Sequence, residues 1–137
     1  MNSEQHKLYR YLRSLGSEDA ATWLMEHYPA DGEKFGYAIG AIAHRSWKKS
    51  DQIRLAKYYL KKIPFAGASG YEAFISIMAI PRFIDIVSKY IPKDRSRVSL
   101  LRYYIEKPLL ENARTASDEK IVCEFIDKLR RTIETPE

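Results

Sequence analysis

The chain has 137 residues, 45% of them apolar and 30% charged, which fits a single globular domain over residues 1–137 whose core needs no disulfide or metal. Its one cysteine, Cys123, excludes an internal disulfide framework and a Cys-only zinc site. The net charge of +5 is uneven: residues 44–62 carry seven cations against the single Asp51, while the rest of the chain sums to −1.

Helical periodicity recurs along the chain, with punctuation at every break. Leu8, Leu12 and Leu15 share one face of a helix expected to start at Ser3 and stop at Gly16, the C′ residue. Ser17 is placed to cap a second helix with Glu18 and Asp19 in its first turn. Its apolar side is Ala20, Ala21, Trp23, Leu24 and Tyr28, and Pro29 closes it. A third helix begins after Asp31-Gly32 and carries Phe35, Ile39 and Ile42, with Gly36, Gly40 and Ala43 forming a small-residue stripe suited to close packing.

Ser50 with Asp51 opens the fourth helix, whose expected core stripe is Ile53, Ala56, Leu60 and Ile63, helped by Tyr59 and ended by Pro64. Phe65-Ala66-Gly67-Ala68 reads as a flexible turn, and Ser69 with Glu72 as a capping box. The fifth helix, Tyr71 to Ile80, is apolar nearly all round and belongs in the centre of the domain. Pro81 fits the first turn of a sixth, with Ile80, Ile84, Val87 and Ile91 inward. Asp94 caps the seventh, with Val98, Leu101 and Ile105 inward, and Pro108 should kink or end it. Ser117, Asp118 and Glu119 start the last helix, with Ile121, Phe125, Leu129 and Ile133 inward. No alternating strand pattern is present, so the expected fold is all-α, with about eight short helices.

The uncharged apolar runs Phe35–Ala43 and Ala73–Ile80 are far shorter than the roughly 18–20 residues of a spanning helix, and no basic segment leads into an apolar stretch at Met1. The expectation is a soluble, cytoplasmic protein without a membrane partner.

Two internal matches stand out. Ile53-Arg54-Leu55-Ala56-Lys57-Tyr58-Tyr59-Leu60-Lys61-Lys62 aligns with Val98-Ser99-Leu100-Leu101-Arg102-Tyr103-Tyr104-Ile105-Glu106-Lys107, an offset of 45 residues. Phe83-Ile84-Asp85 recurs as Phe125-Ile126-Asp127, an offset of 42. A helix pair repeating at this period resembles the HEAT and armadillo α-solenoids over residues 53–133. An irregular helical bundle is the alternative.

No residue pattern in the chain names a chemistry. His6, His27 and His44 lie on different helices, without metal-ligand spacing or a His-Glu-x-x-His pattern. The Arg-then-His spacing of the helical HEPN nucleases is absent at His27 and His44. Gly67-Ala68-Ser69-Gly70 lacks the lysine and preceding strand of a phosphate loop. Cys123 adjoins Ile121 and Val122 and reads as buried filler. No catalytic residue, cofactor or metal is expected.

What remains is a surface. Arg54, Lys57, Tyr58 and Lys61 follow at i, i+3, i+4 and i+7 on one face, and Arg45, Lys48 and Lys49 precede them. This partner-binding candidate could hold an acidic protein, for which Tyr and Arg are favoured anchors, or phosphates with Tyr58 stacking on a base. A face of this kind also forms simply to be solvated. Tyr9, Tyr11, Tyr58 and Tyr103 fall off the core stripes and should show a hydroxyl to water. A small, all-helical chain without catalytic machinery resembles the immunity proteins that neutralise bacterial toxins. That resemblance implies a non-catalytic inhibitor acting by direct complex formation with a toxin. The alternatives are a nucleic-acid-binding module using residues 44–62, or a regulatory subunit of a larger assembly.

Overall fold

The breaks marked by glycine, proline and capping residues separate helices in the computed structural model, which describes residues 2–135. In chain order these are α1 (Ser3–Ser14), α2 (Ser17–His27), α3 (Phe35–Ala43), α4 (Lys49–Leu60), α5 (Ser69–Ile77), α6 (Ile80–Ser88), α7 (Arg95–Asn112) and α8 (Ala116–Glu134). Among the described residues there is no strand, and no helix is long and apolar enough to cross a membrane. The fold is all-α.

The helices alternate between two layers. α1, α3, α5 and α7 lie side by side in one, and α2, α4, α6 and α8 in the other. The core fills the space between, with Tyr59, Tyr71, Phe74 and Phe83 as its largest fully buried side chains. The 45-residue sequence match therefore relates α4 and α7, which belong to different layers. The 42-residue match relates α6 and α8, neighbours within one layer.

The helix starts have local causes, and some differ from the sequence reading while α1 begins at Ser3 as expected. Asn2 caps α1: its side chain accepts from the Gln5 N–H at 2.9 Å, and the Gln5 side chain accepts from the Asn2 N–H at 2.8 Å. Gly16 has φ of −66°, an extended conformation, and is itself the N-cap of α2, which makes Ser17 the first helical residue and not the cap. Ser69 likewise sits inside α5 behind Ala68, with no side-chain cap, so Ser69 and Glu72 form no capping box. The last helix is capped by Thr115, whose hydroxyl accepts from the Asp118 N–H at 3.0 Å, and not by Ser117. Asp94 does cap α7, accepting from the Arg97 N–H at 2.9 Å. That bond, together with the Ser96 hydroxyl, holds its carboxyl below the usual carboxylate range.

Packing corrects other readings. The helix runs through Pro108 to Asn112, because the ring is buried among core residues that hold the turn in place. The segment after Pro64 is anchored: Phe65 is buried, its N–H donates to the Tyr71 hydroxyl, and its ring occupies the space a side chain at Gly70 would need. Tyr9 is buried and not surface-facing, because Gly40 leaves room for its hydroxyl; a Cβ at Gly40 would collide with it. Leu55 joins Ala56, Tyr59 and Leu60 in the α4 core stripe, with Ile53 only half-buried. Cys123 is exposed and not buried filler, outside the α8 stripe that buries Val122, Phe125, Ile126 and Leu129.

Candidate functional site

The basic segment is built on a buried polar node where α2 and α4 begin. Asp51, in the first turn of α4, is 2% exposed and lies where the helix dipole favours a carboxylate. The Ser17 hydroxyl donates to it at 2.6 Å and accepts from the Lys48 N–H at 2.9 Å. Arg54, one turn on, donates to Asp51 at 3.0 Å and to the Thr22 hydroxyl at 2.6 Å. Every polar atom brought inside here has a partner, as burial requires. The node pins α4 to α2 and fixes the orientation of the helix that carries the lysines.

Two of the seven candidate residues are thereby committed to structure. Arg54 completes the node. Arg45 donates to the Leu12 carbonyl at 2.6 Å and the Leu15 carbonyl at 3.1 Å, at the negative end of α1, and its guanidinium lies 4.5 Å from the Trp47 ring centroid. Burial pulls its pKa below the usual arginine range, with Asp51 opposing the shift. Tyr58 is half-buried and also engaged. Its hydroxyl accepts from the Ala30 N–H at 3.3 Å, and the Lys61 ammonium sits 4.4 Å from its ring centroid.

The lysines are different. Lys48, Lys49, Lys57 and Lys61 are exposed, and so is Lys62, which the sequence reading counted in the charge of the segment but not in the site. Among the described residues none of the five lies within ion-pair distance of a carboxylate, although Lys34, Arg102, Lys107 and Arg130 each do. Lys49 to Lys61 spans about 18 Å of helix. The structure thus divides the predicted patch into arginines that brace it and lysines that face solvent.

The histidines do not converge. His44 stacks on Tyr9 with centroids 4.5 Å apart and donates from Nδ1 to the Gly40 carbonyl, while His27 stacks on Trp23 at 4.1 Å and donates to the Trp23 carbonyl. Of the open clefts that lie away from the basic segment, two are larger than the one beside Tyr103 and Lys107. One, of about 700 Å³ at α1 and α2, is walled by Tyr11, Trp23 and Tyr28 and holds the Glu4–Lys34 pair at its edge. The other, of about 520 Å³, crosses α3, α5 and α7 over Gly36, Ser69, Glu72 and Ser76. The sequence reading anticipated neither cleft, since each gathers residues from helices whose adjacency is tertiary. Compared with protein-family models, curated proteins and solved structures, the chain matches none.

Proposed function

We propose that the chain is a non-catalytic, cytoplasmic protein-binding protein that neutralises a bacterial toxin by direct complex formation, as the immunity proteins it resembles in size and helical class do. One observation carries the binding role: the row of exposed lysines on and beside α4 with no carboxylate partner among the described residues. Cations clustered without counter-charges raise the local potential and steer an acidic surface towards them. The Ser17–Asp51–Arg54 node holds their helix in place before any partner arrives, which lowers the entropy lost on binding. The alternation of helices between two layers, with the 42-residue match falling on neighbours α6 and α8, supports reading the chain as a short stack of helix pairs in the HEAT and armadillo manner, whereas the 45-residue match joins opposite layers and favours the irregular bundle.

A nucleic-acid partner is the second reading, and Tyr58 weighs against it. Stacking on a base needs a free ring face, and Lys61 lies over that ring while Ala30 holds its hydroxyl. A regulatory role in a larger assembly is the remaining alternative. Capture of partners from the source organism at low salt, with and without nuclease, separates a protein partner, which the inhibitor and subunit readings share, from a nucleic-acid one. A stoichiometric protein that survives nuclease fits the proposal. Nuclease-sensitive material absorbing at 260 nm, without a protein, would overturn it. Contact with phosphates by about five side chains would also weaken binding with a log–log salt slope of roughly −3.5 to −4.5, far steeper than for a protein complex with an apolar centre.

A further inference from the structure

Four large apolar side chains are exposed among the described residues, and three of them share one stripe. Leu100 is 39% exposed, Tyr103 76% and Leu110 51%, and Lys107 fills the remaining position of the spacing. Residues 100, 103, 107 and 110 follow the 3-4-3 pattern of a coiled-coil seam on an 18-residue helix. The stripe lies opposite the face of α7 that buries Val98, Leu101, Ile105 and Leu109, with Tyr103 and Lys107 also bordering an open cleft beside Ala68 and Glu72. Core packing explains the inner face and leaves this outer one unexplained.

The order of residues in the stripe says what covers it. Reversing α7 about Ile105 brings Leu100 opposite Leu110 and Tyr103 opposite Lys107. The stripe is therefore complementary to its own antiparallel copy: apolar meets apolar, and a ring meets a cation. This chain already makes the second kind of contact internally, between Lys61 and Tyr58. The flanking row, Arg97, Tyr104 and Glu111, reads the same way, placing Arg97 beside Glu111 of the other copy and Tyr104 beside its counterpart. On the other flank Glu106 would approach its own copy, and Arg102 at 3.3 Å supplies the neutralising charge.

We propose that two copies of the chain associate through antiparallel pairing of their α7 helices about a twofold axis at the level of Ile105, with Leu100, Tyr103, Lys107 and Leu110 as the seam. The pairing is isologous, so it closes at a dimer. With about three turns of helix contributed by each copy, the contact falls at the small end of specific interfaces, so the dimer should dissociate on dilution. Because α4 lies in the other layer, each copy keeps its lysine ridge open. The inference does not rest on the proposed function.

Sedimentation equilibrium of the full chain from about 1 µM to about 1 mM tests it. Wild-type protein should pass from monomer to dimer, and Tyr103→Glu should weaken association by more than about tenfold while leaving the helical circular dichroism unchanged. Register is tested by cross-linking in a Cys123→Ser background. A Leu100→Cys chain should link to a Leu110→Cys chain, whereas two Leu100→Cys chains hold their thiols about 15 Å apart along the axis. A monomer throughout the range, a dimer indifferent to Tyr103→Glu, or preferential linking of two Leu100→Cys chains would each overturn the proposal.

Discussion

At the scale of single residues, Asp51 carries more of the structure than its place in a basic segment suggests. It is the one acid among seven cations, yet it faces inward and serves Ser17 and Arg54. Asp51→Ala leaves Ser17 and part of the Arg54 guanidinium without a buried partner, and should lower the unfolding free energy by about 2–3 kcal/mol in a urea titration. Lys57→Glu, on the exposed face of the same helix, should change it by less than about 0.5 kcal/mol. Two buried tyrosines make a separate prediction. Burial pushes the Tyr71 pKa up to about 12, against a smaller opposing effect of the Phe65 N–H, and raises that of Tyr59 further still. The folded state therefore keeps protons that the unfolded state releases from pH 10 upward, so stability falls as pH rises from 10 towards 12. Denaturant midpoints measured across that window should fall less steeply for Tyr71→Phe than for wild type.

At the scale of elements, the two glycines of α3 do different work. Gly40 is required by the Tyr9 hydroxyl, whereas a Cβ at Gly36 would meet nothing within 4 Å. Gly40→Ala should destabilise by about 1–3 kcal/mol through overpacking, and Gly36→Ala should stabilise by about 0.5–1 kcal/mol through helix propensity. Thermal unfolding of the two variants gives shifts of opposite sign if the assignment is right. The same helix shows what the sequence could and could not reveal. Spacing alone located α3 and its inward Ile39 and Ile42, because amphipathic periodicity is local. It could not show that Tyr9 comes from α1 to fill the notch at Gly40. The caps at Gly16, Ala68 and Thr115 were each displaced by a residue or two, since neighbouring serines offered an equally good local signal and tertiary contact claimed Ser17 instead. Pro108, expected to kink or end α7, does not end it: its ring is buried and the helix continues to Asn112.

At the scale of the whole molecule, two layers of four helices place the lysine ridge of α4 in one layer and the outer stripe of α7 in the other. The charge bias of residues 44–62 was legible in the sequence, because charge is additive along a chain. The division of labour within it was not, since which cation finds an internal acceptor depends on where α1 and α2 come to lie. Arg45 and Arg54 reach acceptors on those two helices, and the lysines do not. The ridge is thus a positive surface with no carboxylate within ion-pair distance among the described residues, and in the proposed complex a partner's acidic face supplies the counter-charge. Comparison of wild type with the Lys57→Glu, Lys61→Glu double variant in partner capture from the source organism tests this most directly, with nuclease present and the fold checked by circular dichroism. The account predicts that wild type retains a stoichiometric protein and that the folded double variant loses it. Equal recovery of the same partner by both would contradict the assignment of the ridge as the binding face.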